Sequence, residues 1–310
     1  MTYTRRAIRN ILEKVRDARP DGIELFMIVA SQNDGPPRVV RASIGKDVGK
    51  FFQENVQRTL ERKLAHEDLS LLEYEPLLQP DTESILYDEI GNVPRLGYVL
   101  DEMGRSDLPA FSLDDVDSLR AYAIRITKGF VAFKKYSATK LLQQNKFIAL
   151  LGEDGTFTKL KGTAAALDRT IDCLSSPTGV FILSSAGAFE SIFDHAEVIV
   201  SFLEGHADDL STLGLVDDTE PLLALCMSDP YKRKKLFKVL RRPGLLKSLK
   251  PEDVAAAAKR RKLDLEFDTG GQAIIDTPRR AREYLKLLDE DFFSGEWTGQ
   301  EYGAHSKEAR

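Results

Sequence analysis

From Thr170 to Tyr231 the chain contains no lysine or arginine. The same span holds eleven acids: Asp172, Glu190, Asp194, Glu197, Glu204, Asp208, Asp209, Asp217, Asp218, Glu220 and Asp229. Directly afterwards, Lys232 to Lys262 carries thirteen basic residues against Glu252 and Asp253, a net of +11 in a chain whose formal net charge is −5. Segregation on this scale constrains the fold more than net charge does. Either the two blocks face each other inside the protein, or the basic block meets an anionic partner.

At 310 residues, 42% hydrophobic and 30% charged, the chain can bury a large core as one domain or two. The most apolar stretch, GIELFMIVA at 22–30, is about half of what a bilayer crossing needs and contains Glu24. The N-terminal MTYTRRAIRN lacks the apolar core of a secretory signal, so a cytosolic protein without its own membrane anchor is expected. The cysteines, Cys173 and Cys226, are far apart and give neither a disulfide framework nor a CxxC metal site.

Periodicity points to an α+β fold, with mixed strands and helices in the N-terminal half. The C-terminal half reads as β-hairpins with a helical, bundle-like region. Helices are expected over 4–18, 47–65 and around 93–103, with strands at 23–31, 38–44, 121–127 and 129–137, while ESILYDEI at 83–90 carries no assignment. A hairpin turning at EDG spans 146–160, and a Pro-Thr-Gly turn joins two strands within 170–185. One long acidic helix follows at 186–210, and a further helical stretch, TEPLLALCMSDP, leads into a basic helix at 231–242 that Pro243-Gly244 ends. A helix at 251–262, a hairpin at 263–276 and a helix at 277–293 with Thr277 as N-cap complete the order. The tail after Trp297 is expected to fray. The expected division is an N-terminal α+β region at 1–120 and a second domain at 121–310.

Catalytic signatures are few. The chain has no GxxxxGK[ST] phosphate loop, no GxGxxG after a strand and no GxSxG elbow, and its four histidines stand in no metal-binding spacing. Glu61-Arg62-Lys63 fits the short Glu-x-Lys pattern of metal-dependent nucleases, but on a helix rather than a strand. The acids Asp217, Asp218 and Glu220 lack the alternation and glycine of a calcium loop. A non-enzymatic protein without metal or cofactor is expected.

The segment YKRKKLFKVLRR at 231–242 carries seven bases in twelve positions. On a helical wheel Leu236, Phe237, Val239 and Leu240 gather on one side, with Lys234, Lys235, Lys238, Arg241 and Arg242 opposite. Like charges at i,i+3 and i,i+4 repel by a few tenths of a kcal/mol per pair, about 0.2–0.5, so such a helix is either strained for a purpose or screened by an anion. Phosphate is the obvious one, and few aromatics interleave the bases, which favours the backbone of a duplex over single strands. The candidate DNA-contact residues are Lys232, Arg233, Lys234, Lys235, Lys238, Arg241 and Arg242, together with Lys259, Arg260, Arg261 and Lys262. The last four also complement the dipole at a helix C-terminus. Helix, break, helix and hairpin in this order also fit a winged helix-turn-helix, although VAAAAKRRK offers few side chains to read base edges.

The segment TIDCLSSPTGVFILSSAGAFESIF, with the later LEFDTGGQAIIDTPRRAREYLKLLDEDFFSGEWTGQEYGAHSK, resembles the KwaB family of the bacterial Kiwa anti-phage system. The resemblance covers about residues 120–310 and carries no catalytic motif. It implies a cytosolic defence protein, open to recruitment to the inner membrane by a partner, that binds DNA, forms a homodimer or higher oligomer, and acts with a membrane protein, KwaA, without inserting into the membrane itself. Obstruction of phage replication or transcription is then the expected mode of action. The alternatives are a scaffold whose basic helix docks on an acidic surface, and a metal-dependent nuclease.

Overall fold

The computed structural model describes residues 4–18, 22–31, 35–137, 141–142, 150–151, 157–158, 164–294 and 301–303. The fold is α+β, and the chain divides into two compact units. One comprises Met1–Tyr74 with Gln79–His195, the other Glu75–Leu78 with Ala196–Arg310.

The first unit is built on β1 (Glu24–Val29), β2 (Arg38–Ala42), β3 (Ser70–Glu73), β4 (Ser84–Glu89), β5 (Leu119–Thr127) and β6 (Phe130–Lys135). Four two-residue strands follow: β7 (Leu141–Leu142), β8 (Leu150–Leu151), β9 (Phe157–Thr158) and β10 (Ala164–Ala165). They pair as β7 with β10 and β8 with β9, and the EDG turn expected between the latter lies outside the described residues. With β11 (Cys173–Ser176) and β12 (Gly179–Ile182), the longer strands form one sheet of order β2-β1-β5-β6-β11-β12-β4-β3. Only β3–β4 is parallel. Central strands such as ELFMIV and CLSS are buried almost throughout, as in sheets covered on both faces. One face receives Ile8, Leu12 and Val15 of α1 (Arg5–Arg16) and Phe52, Val56 and Leu60 of α2 (Lys46–Leu64), packed with Leu25, Met27, Tyr122 and Ile124. On the other, Phe133 meets Phe193 just past α4 (Ala186–Ile192), ring centroids 5.1 Å apart. α3 (Pro94–Met103) lies between β4 and β5 in the chain. The Pro-Thr-Gly turn needs its glycine, because a Cβ on Gly179 would stand 2.2 Å from the Asp88 carbonyl oxygen.

Residue 120, the expected boundary, falls inside β5, whose partners are β1 and β6, so a cut there would divide the sheet. The single helix expected over 186–210 is three: α4, α5 (His195–His206) and α6 (Asp209–Thr212). The break has an identifiable cause. Asp194 takes φ 49 and is held there by Arg120 and by Arg95 at 3.4 Å.

The second unit contains the rest of α5 with α6, α7 (Glu220–Met227), α8 (Pro230–Leu240), α9 (Pro243–Ser248), α10 (Pro251–Arg260), the hairpin β13 (Glu266–Phe267) with β14 (Ala273–Ile274), and α11 (Pro278–Leu288). Leu203, Leu222, Leu236, Leu240, Tyr284 and Leu285 are among its core. Pro243 opens α9 rather than only ending α8, as proline suits a first helical position. In the tail, β16 (Glu301–Gly303) pairs with β15 (Phe292–Ser294), so those three residues do not fray.

Sequence sets the helix starts. Thr277 accepts from Arg280 N–H, and Asp229 caps α8 by accepting from Tyr231 N–H at 2.9 Å and Lys232 N–H at 3.3 Å. Asp229→Ala is expected to lower stability by about 1 kcal/mol in a urea titration. The Lys232 ammonium, which hydrogen-bonds the Asp229 carboxylate, holds it below its ordinary value against a small opposing effect of burial. A depressed carboxylate contributes stability above its unfolded value and loses it as pH falls through the lower folded value, so the cost of Asp229→Ala should shrink in acid.

A second local feature is strained. Glu75-Pro76-Leu77-Leu78 closes a turn, with Leu78 N–H donating to the Glu75 carbonyl at 3.1 Å and Leu77 at φ 79. This is the type II pattern, proline first and a positive φ second, but with leucine where glycine is favoured. The left-handed conformation costs about 1–2 kcal/mol, and glycine's extra unfolded entropy takes back about 0.5–1. Leu77→Gly should therefore raise stability by roughly 0.5–1 kcal/mol, measured by chemical denaturation.

Candidate nucleic-acid interface

Helix α8 buries Leu236, Phe237, Val239 and Leu240 as its wheel requires, but Lys235 goes with them at 5% exposure. Lys235, Lys238 and Arg242 are spaced i, i+3, i+7 and so share one stripe along the edge of the apolar side. That stripe is met by carboxylates. Lys235 contacts Asp291 and lies 3.5 Å from Asp289, Lys238 lies 3.3 Å from Asp289 and 3.6 Å from Glu75, and Arg242 donates to Glu75 at 2.6 Å. The order Asp291–Lys235–Asp289–Lys238–Glu75–Arg242 is a row of six alternating charges that sums to zero. Asp289 and Asp291 are both 4% exposed. They reach the stripe because Glu290 takes φ 53 at the end of α11 and turns the chain back, Asp291 N–H donating to the Lys286 carbonyl at 2.9 Å.

Burial opposes the charge on Lys235, but the Asp291 hydrogen bond and the charges of Asp291, Asp289 and Tyr231 outweigh it and hold the ammonium above its ordinary value. Burial also pushes the Asp291 carboxyl up, with the Asp289 charge adding to it and Lys235 pulling the other way. Burial of Asp291 and the negative charge gathered around the Lys235 ammonium account for both directions.

The other expected contact residues fall into groups. Lys232 bonds to Asp229, and Arg233 donates to the Met227 carbonyl at 2.7 Å. Arg241 lies over the Phe237 ring at 5.4 Å, and Arg261 over that of Phe292 at 4.4 Å. Lys234 is half-buried. Lys259, Arg260 and Lys262 are exposed at the C-terminal end of α10, and no carboxylate among the described residues pairs with them. The wheel therefore overstated α8: Lys235, Lys238 and Arg242, expected to face a partner, face carboxylates of their own unit. Lys262 takes φ 53, just past the helix end, where glycine is the usual residue. Exposed Lys247 and Lys250, in the same basic block, and Arg282 on α11 are further cations that the sequence reading passed over.

Of the acidic block, Asp172 lies 2.8 Å from Lys134 and Asp194 pairs with Arg95 and Arg120, while Asp229 pairs with Lys232 of the basic block. The Glu61-Arg62-Lys63 pattern does not form a site. Glu61 is exposed, whereas Lys63 is buried and donates to the carbonyls of Asp81 and Ser84. Burial holds the Lys63 ammonium below its ordinary value. Both cysteines are buried as free thiols, Cys226 being pushed up to about 12 by burial. Among the described residues, no helix is long and apolar enough to cross a membrane, and no group of three His, Cys, Asp or Glu is placed to hold a metal ion.

Residues 116–298 match the family described as Kiwa protein KwaB-like. The chain belongs to the KwaB-like family. The KwaB-like segment starts just before β5 and runs past α11, so it contains the six-charge row except for Glu75, along with the exposed end of α10. It leaves β1 to β4 outside, although these complete the sheet. No curated protein and no solved structure is matched by this chain.

Proposed function

We propose that this KwaB-like protein is a non-catalytic, cytoplasmic anti-phage protein that binds duplex DNA through phosphate contacts and obstructs its replication or transcription. It acts as a homo-oligomer with the membrane partner KwaA. The observation that carries the reading is the exposed group Lys259, Arg260 and Lys262, cations without a carboxylate partner among the described residues. One of them sits on a backbone position that favours glycine. Lys247 and Lys250 add to the same basic block, and Lys234 is its contribution from α8. Short alanine-rich α10 supplies charge but few groups that read base edges, which favours binding without sequence preference.

The fate of phage DNA in infected cells tests the mode of action. Intact but poorly copied DNA is expected, and early degradation would overturn a non-catalytic role. Salt titration of duplex binding tests the contact itself. Three to five phosphate contacts give a slope of log K against log salt of about −2.7 to −4.5. Absence of DNA binding, with salt-dependent association of copies instead, would favour the scaffold reading.

A further inference from the structure

We propose that Lys238 and Arg242 form a phosphate subsite whose resting occupant is the Glu75 carboxylate, and that a phosphate group of bound DNA exchanges with it. This rests on the DNA-binding reading and adds a regulated contact to it. Glu75 is bonded by Arg242 at 2.6 Å and lies 3.6 Å from Lys238, in the geometry a phosphate oxygen would adopt. The neighbours on the row are fixed differently. Asp289 and Asp291 have side chains about 5% exposed and are anchored from below by Lys235, whereas the Glu75 side chain is 39% exposed and the Arg242 side chain 36%. Water and ions reach this end of the row and not the other.

Two further observations make Glu75 the removable member. It sits at the first position of the Glu75–Leu78 turn, where Leu77 is in the left-handed region, so the segment that presents the carboxylate is itself strained. Residues 75–78 also lie in no helix or strand, so the turn is a free-standing connection between β3 and β4 rather than part of an element. When Glu75 leaves, Lys238 keeps Asp289 and Arg242 loses its only anion in the row. The remaining five charges sum to +1, which one phosphate neutralises.

The test is duplex binding by the purified chain across a salt series in wild type, Glu75→Gln, Arg242→Gln and the double variant. Removing an exposed competitor ion pair should raise affinity roughly two- to fivefold. The salt slope should stay that of wild type, because the exchanged phosphate is contacted in both proteins, and it should flatten by about 0.9 in Arg242→Gln. Arg242→Gln should abolish that gain, so the double variant should bind like Arg242→Gln alone. Equal affinities in wild type and Glu75→Gln would overturn the exchange while leaving DNA binding intact. If wild type binds no duplex, amide hydrogen exchange at Leu77 and Leu78 with and without inorganic pyrophosphate separates the two claims. Faster exchange with pyrophosphate that depends on Arg242 supports the subsite alone, and unchanged exchange overturns it as well.

Discussion

Lys235→Met is expected to lower the stability of the second unit by about 3–5 kcal/mol, as removal of one partner of a buried ion pair does. The variant keeps most of the side-chain volume and removes the ammonium that Asp289 and Asp291 share. Two carboxylates at 4% exposure are then left with Lys238 alone, and only Asp289 is within its reach. Lys235→Met/Asp291→Leu should recover most of the loss. It removes the terminal pair and leaves Asp289–Lys238–Glu75–Arg242, two acids and two bases in alternation. Urea denaturation of the four proteins of this cycle measures the coupling, and a double variant as unstable as the sum of the singles would show that the row does not act as a unit.

The same cycle has a pH signature. Lys235 has a raised folded value, so the stability it contributes is fully present below its unfolded value near 10.5 and is lost as pH rises through the folded one. Wild type should therefore weaken in strong alkali more than Lys235→Met does. Asp291, also raised, acts in the opposite sense for a carboxylate: it favours the folded state most in acid and loses that contribution as pH rises through its folded value.

Much of this fold was legible in the sequence, for reasons that can be named. Short apolar runs such as ELFMIV and AYAIRIT place β1 and β5, and the Thr277-Pro278 pair places the start of α11. β3 was not legible, because SLLE is four residues long and owes its strand to parallel pairing with β4. The break at Asp194 depends on arginines 74 and 99 positions earlier (Arg120 and Arg95), which local periodicity does not register.

The candidate site divides in the same way. The apolar side of α8 followed from its own spacing, but which flank of the polar arc turns inward depended on Glu75 and on Asp289 and Asp291, far away in the chain. One signal was present. Carboxylates at the C-terminal end of a helix oppose its dipole, so the Asp289-Glu290-Asp291 ending of α11 already called for cations from elsewhere. The seven bases at 231–242 answer that call in part, and most of the charge left for an outside partner lies further along the chain.

The most direct measurement compares binding of random-sequence duplex DNA across a salt series in wild type, in Lys259→Glu/Arg260→Glu/Lys262→Glu, and in Lys235→Met/Asp291→Leu. Loss of three phosphate contacts should flatten the salt slope by about 2.7 and cut affinity roughly 500-fold at 0.1 M salt. The triple variant should melt like wild type, since its side chains are exposed and unpaired among the described residues. Lys235→Met/Asp291→Leu should bind with the wild-type slope, because the pair it removes is internal. A triple variant that binds like wild type, or an internal-pair variant that folds normally yet loses DNA, would contradict an interface at the end of α10.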